Sequence, residues 1–136
     1  MFTHTTRVRL SDTDAAGVMF FARQFDLLHE AFEEFMSSRG VGLPYILGDA
    51  PYSLAIVRAE CDYTAPLRIG DSISIDVRVE NVGAKSFTIG YVVKNGDAVT
   101  ASAGRTIHVT FDRATRQSVD IPVALREALG EGDSPR

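Results

Sequence analysis

One cysteine, Cys61, in 136 residues leaves no partner for an intramolecular disulfide and no thiolate set for a Cys-rich zinc site. It lies in Ala59-Glu60-Cys61-Asp62-Tyr63 and reads as filler of a buried strand. Positive charge is also short. Fourteen Lys and Arg stand against 18 Asp and Glu, a net −4, whereas nucleic acid rewards a basic surface. That sum still allows a small basic pocket for a phosphorylated ligand. No apolar run approaches the ~20 residues that cross a bilayer. The first residues, Met-Phe-Thr-His-Thr-Thr-Arg, hold no apolar core of signal-peptide kind. The expectation is therefore a soluble cytoplasmic protein, with no membrane or nucleic-acid partner. No internal repeat or low-complexity segment is visible. The chain suits a single domain over 1–136, with 130–136 read as a flexible tail.

Hydrophobic residues make up 45% of the chain, enough for a core, and their spacing divides it into elements. Residues 4–10 favour a short strand. Over 22–39, Phe25, Leu28, Phe32, Phe35 and Met36 recur at spacings of three and four, one face of an amphipathic helix. This stripe reads as core rather than as a substrate pocket. Arg39-Gly40 supplies the helix stop, and 44–48 holds one helical turn behind Pro44. Four strands follow, at 52–63, 72–81, 87–94 and 99–111. In the second of these Ile73, Ile75, Val77 and Val79 alternate with polar residues, as a half-buried strand requires. Asn95-Gly96 is a hairpin signal, and the short connections predict antiparallel neighbours in meander order. A last short helix occupies 123–129. The layout is α+β, and one long helix covers only one face of such a sheet. The edges and apolar surface left over predict self-association.

The chemistry concentrates in Ser11-Asp12-Thr13-Asp14-Ala15-Ala16-Gly17-Val18-Met19-Phe20-Phe21, two carboxylates and a glycine directly ahead of the long helix. A helix N-terminus presents unpaired N–H groups and the positive end of the macrodipole. A carboxylate there serves as a cap, a metal ligand or a catalytic group. Asp12-x-Asp14-x-x-Gly17 imitates a calcium loop, but Ala16 and Arg23 occupy two positions that must supply ligands. With His4, His29 and His108 scattered singly, no metal is assigned. Asp12 reads as a turn or cap residue. For Asp14 the residues alone leave the structural and catalytic readings open.

The same segment resembles the active-site segment of the 4-hydroxybenzoyl-CoA thioesterase family, within the hotdog-fold superfamily. The resemblance covers nearly the whole chain. His29-Glu30-Ala31 and Asp62-Tyr63-Thr64-Ala65-Pro66-Leu67-Arg68-Ile69-Gly70-Asp71 are similar to its 1,4-dihydroxy-2-naphthoyl-CoA thioesterase branch. Lys85-Ser86-Phe87 matches the family's turn into the next strand, and Arg105-Thr106-Ile107-His108-Val109 its last long strand. The resemblance implies a hotdog fold, a long central helix wrapped by a five-stranded antiparallel sheet. It also implies a homo-oligomer, a tetramer built as a dimer of dimers, with sites between subunits.

For the chemistry it implies Asp14 as general base or nucleophile, and the Phe21 backbone N–H as the donor polarising the thioester carbonyl. Gly17 lets the backbone approach closely. Lys85 and Ser86 are the candidates for holding coenzyme A, with Arg58 and Arg68 behind them, and Phe20, Phe21 and Tyr45 are the candidates for an aryl pocket. His29 and Glu30 read as surface or packing residues. No cofactor is implied, since coenzyme A arrives as part of the substrate. The reading is an aromatic acyl-CoA thioesterase. A medium-chain acyl-CoA or acyl-carrier-protein thioesterase and a non-catalytic acyl-CoA binder are the alternatives, and a hotdog dehydratase, which needs a paired histidine, ranks below them.

Overall fold

The computed structural model describes residues 1–130, so residues 131–136 of the expected tail lie outside the described residues. Strand β1 (Phe2–Arg7) leads through a single 3₁₀ turn at Leu10–Asp12 to helix α1 (Arg23–Ser38) and the short α2 (Leu43–Gly48). Then come β2 (Tyr52–Tyr63), β3 (Ser72–Val82), β4 (Ser86–Asn95), β5 (Thr100–Asp112) and α3 (Val123–Leu129). The first strand ends at Arg7 rather than continuing to residue 10. The Asp12 carboxylate accepts the Arg9 N–H at 2.9 Å and closes the chain into the 3₁₀ turn.

The five strands form one antiparallel sheet in the order β1-β3-β4-β5-β2. This corrects the meander expectation at one place: β2 does not pair with β3 but crosses to the far edge, beside β5. The link between β2 and β3, residues 64–71, is too long for a tight hairpin and is already engaged elsewhere. Leu67 accepts the Met19 N–H at 2.7 Å, and Arg68 bridges Val18. That anchoring carries the connection under the 12–21 segment and frees β3 to pair with β1.

Helix α1 lies on one face of the sheet. Its buried stripe of Leu27, Leu28, Ala31, Phe32, Phe35 and Met36 meets the inward residues of β3 (Ile73, Ile75, Val77, Val79) and β4 (Phe87, Ile89, Tyr91, Val93). Each such apolar side chain contributes about 1.5–3 kcal/mol on burial, enough to order both elements. His108 sits within this layer, stacked on Phe87 and Phe32 with ring centroids 4.9 and 4.4 Å away. Its Nε2 shares a 2.7 Å hydrogen bond with the Thr106 hydroxyl, which is 2.8 Å from the Tyr91 hydroxyl. Burial holds the His108 pKa down to about 3, helped by the nearby His29, so this ring is neutral.

Gly104 lies where β5, β2 and a side chain of α1 crowd together. A Cβ there would stand 2.5 Å from the Glu60 carbonyl oxygen of β2 and 3.3 Å from a Leu28 methyl of α1. On the opposite face Gly90 leaves room for the Glu80 side chain, which crosses β4 to meet Arg105 at 3.2 Å.

Candidate active site

The two aspartates of the opening segment separate once the backbone is drawn. Asp12 is buried, 3% exposed, and both its oxygens are taken, by the Arg9 N–H and by Arg23 Nε at 2.6 Å. Desolvation raises its pKa, but the Arg9 N–H, the Arg23 hydrogen bond and the Arg23 charge outweigh it and hold the carboxyl below the usual range. Asp14 is exposed and sits on a tight turn, its N–H donating to Val18 and its Oδ1 accepting the Ala16 N–H at 2.8 Å. Among the described residues its second oxygen has no partner. Gly17 closes this turn at φ +81°, a conformation side-chain-bearing residues resist, with nothing within 4 Å of where a Cβ would stand.

Helix α1 begins without a capping side chain, because Ala22 occupies the N-cap. Its first backbone bonds are the short ones from Arg23, Gln24 and Phe25 to Phe20, Phe21 and Ala22. The Phe21 and Ala22 N–H groups therefore have no acceptor among the described residues. The Phe21 carbonyl accepts the Tyr63 hydroxyl at 2.8 Å, which ties the start of the helix to the end of β2. Between them opens a groove of about 440 Å³ lined by Val18, Met19, Phe21, Gln24, Tyr63 and the chain following Tyr63. Phe20 and Phe21 pack tilted at 4.9 Å beside it and stay exposed at 46% and 60%.

Other expected contacts lie elsewhere on the single chain. Tyr45, on α2, follows the far end of α1, and sixteen residues of helix, roughly 24 Å, separate it from Phe20 and Phe21. The expectation that it shares their pocket does not hold within one chain. Lys85 is exposed on the turn before β4, and Ser86 pairs with Val109, whereas the groove lies at the level of Ser102. From Ser102 to Val109 along β5 is roughly 23 Å, so Lys85 and Ser86 occupy the opposite end of the sheet. Arg58 is on β2, 65% exposed in its side chain and 3.3 Å from Glu60. His29 pairs with Glu33 at 3.3 Å and Glu30 with His4 at 3.1 Å, both on the helix surface. Cys61 is half-buried, and desolvation raises its thiol pKa, partly offset by the Ser102 and Tyr63 hydroxyls beside it.

Sequence reasoning missed two features. Gln24, 5% exposed, reaches from α1 to β5, where its Oε1 accepts the fully buried Ser102 hydroxyl at 2.5 Å. Its place between Arg23 and Phe25, at the start of the helix, gives no local sign of this. A second cleft, about 680 Å³, lies between β1 and the β4–β5 hairpin, at the same end of the sheet as the groove. Arg7, Arg9 and Lys94 line it, with the hydroxyls of Thr5, Ser72 and Ser74.

Residues 8–129 match the profile of the thioesterase-like superfamily. A 1,4-dihydroxy-2-naphthoyl-CoA hydrolase of Nostoc punctiforme is 34% identical over 121 residues, covering 89% of this chain and 81% of that one. Its counterpart from Rippkaea orientalis is 35% identical over 132 residues, 95% of each chain. Among solved structures, a 1,4-dihydroxy-2-naphthoyl-CoA thioesterase from Synechocystis superposes with a TM-score of 0.89 at 29% identity, covering 94% of both chains. A gentisyl-coenzyme A thioesterase superposes with a TM-score of 0.85 at 25% identity, over 95% of this chain and all of the other.

Proposed function

The chain belongs to the thioesterase-like superfamily, and from that premise we propose that it hydrolyses an aromatic acyl-CoA, 1,4-dihydroxy-2-naphthoyl-CoA first, to the free acid and coenzyme A. The observation that carries the reading is the Phe21 N–H at the uncapped start of α1, without an acceptor among the described residues and beside a groove. A fixed donor of this kind stabilises the oxyanion that forms as the thioester carbonyl is attacked, and needs no reorganisation to do so. The Tyr63 hydroxyl on the Phe21 carbonyl holds the following peptide and restrains that donor.

Asp14 supplies the attack. As general base its free oxygen takes a proton from water while the water oxygen bonds to the carbonyl carbon; collapse of the intermediate breaks the C–S bond and coenzyme A leaves as the thiol. As nucleophile that oxygen bonds to the carbonyl carbon itself and expels the thiolate, and water then opens the mixed anhydride. A single turnover in labelled water separates the two, since label in Asp14 requires the anhydride. Lys85 and Ser86 take the phosphates of coenzyme A on a neighbouring subunit, which reconciles their distance from Phe21 with one ligand. The Arg7, Arg9 and Lys94 cleft is the second reading for that role, favoured by its position at the groove's own end of the sheet. Among the described residues no strand pairs with the outer edge of β2, where Ile56 and Val57 are exposed, which supports joining of sheets between chains; the assembly proposed is a homotetramer.

A thiol-release assay over aryl and alkyl CoA esters tests the activity, with Asp14→Asn as control. The expected result is release from aryl esters, a large loss of turnover in the variant and retained coenzyme A binding. Full turnover by Asp14→Asn overturns the assignment of Asp14, and release from no ester overturns the activity.

A further inference from the structure

Every side-chain polar group that lines the groove, except one, already has its proton committed. The Tyr63 hydroxyl donates to the Phe21 carbonyl and the Thr64 hydroxyl to the Thr100 carbonyl, at 2.8 and 3.1 Å. The rest of the lining is apolar: Val18, Met19, Phe21, Ala65, Pro66 and Leu67. Gln24 is the exception. Its side chain is 95% withdrawn from solvent, yet only its oxygen is used, by Ser102. The amide NH₂ donates to nothing among the described residues. No fully buried side-chain nitrogen or oxygen among them lacks a partner, so this nitrogen reaches the surface, and the surface that Gln24 lines is the groove.

The amide turns its oxygen toward Ser102. With its hydroxyl donating to Oε1, the nitrogen is turned outward. Gln24 lies three residues beyond Phe21, less than one helical turn, so the amide stands one step along the helix from the Phe21 N–H.

We infer that Gln24 is a specificity-determining residue, whose amide NH₂ donates a hydrogen bond to an oxygen carried on the acyl group of the substrate. This rests on the thioesterase reading, with the acyl carbonyl at Phe21. An aryl hydroxyl or its phenolate accepts such a bond. An unsubstituted ring or an alkyl chain accepts none, and on entering the groove strips water from the NH₂ without replacing it. The substrate class is therefore a hydroxylated aroyl-CoA. Discrimination comes from the donor left unpaired with the wrong acyl group as well as from the bond made with the right one.

The experiment measures kcat/KM for benzoyl-CoA and for its ortho-, meta- and para-hydroxyl derivatives, in the natural chain, in Gln24→Met and in Gln24→Glu. Methionine keeps the volume without the donors; glutamate keeps the acceptor for Ser102 and also lacks them. The natural chain is expected to prefer at least one hydroxylated ester over benzoyl-CoA by about tenfold or more. In both variants that ratio falls to about two or less while benzoyl-CoA turnover persists. A preference that survives either variant, or no preference in the natural chain, overturns the inference and leaves the thioesterase reading standing. Thiol release from none of the four esters by the natural chain overturns the inference; if 1,4-dihydroxy-2-naphthoyl-CoA is also left intact, the thioesterase reading falls with it. Should Gln24→Met fail to fold, judged by circular dichroism, Gln24→Glu alone decides.

Discussion

Asp12 and Asp14 stand two residues apart and are expected to fail in opposite ways when altered. Asp12→Ala removes the acceptor for the Arg9 N–H and for Arg23 Nε together. Loss of the cap costs about 1 kcal/mol. The Arg23 contact adds about 1 kcal/mol, at the low end for a charge-assisted bond because the Arg23 side chain is 43% exposed and keeps Asp26 at 3.0 Å. The sum is about 2 kcal/mol, or about 7 °C in melting temperature at ~2.1 cal/mol/K per residue. Asp14→Asn leaves the exposed turn intact, because an amide oxygen still accepts the Ala16 N–H. Its stability cost is about 0.5 kcal/mol or less, while its turnover collapses if Asp14 performs the attack. Urea melts at fixed protein concentration, paired with thiol release on the same preparations, measure both axes. The reasoning is refuted if Asp14→Asn is the less stable variant, or if Asp12→Ala melts with the natural chain.

Gly104→Ala drives a Cβ to 2.5 Å from the Glu60 carbonyl oxygen, a backbone clash between β5 and β2, and is expected to cost about 2–3 kcal/mol in urea melts. An unchanged melt would show that the two strands part freely. His108, whose pKa is held at about 3 by burial against an ordinary 6.5, binds its proton more readily in the unfolded chain. Its contribution is therefore full above about pH 6.5 and lost progressively as pH falls toward 3, about 2 kcal/mol of it between pH 7 and 5. His108→Gln should flatten stability over that interval, and an equal slope in both proteins would contradict the neutral buried ring. Lys85→Ala is expected to raise KM for the CoA ester and spare kcat. If KM moves only in Arg7→Ala, the phosphates sit in the cleft along β1 instead.

Much of the fold was legible because its signals are local. The 3.6-residue stripe from Phe25 to Met36 and the alternation from Ile73 to Val79 each name a buried face, and both faces meet in the core. Asn95-Gly96 marks a real hairpin between β4 and β5. The neighbour of β2 was not legible, since it depends on where residues 64–71 are anchored, and Met19 and Val18, far away in the chain, do the anchoring. The candidate site divides along the same line. The uncapped helix start, the Gly17 turn and the capping role of Asp12 follow from residues a few positions apart. Gln24 and Ser102 are 78 residues apart, and nothing in either neighbourhood signals their bond. Tyr45 follows Phe20 and Phe21 by about 25 residues, and the length of α1 between them carries it away from their pocket.

Gly104 also sets a clearance. A Leu28 methyl comes within 3.3 Å of where a Cβ would stand there, one turn beyond Gln24 on the same helix. One bare position thus serves two neighbours at once, the backbone of β2 and a side chain of α1. Both neighbours also reach the groove, β2 through Tyr63 and α1 through Gln24, so a position that lines no part of it touches both elements that frame it.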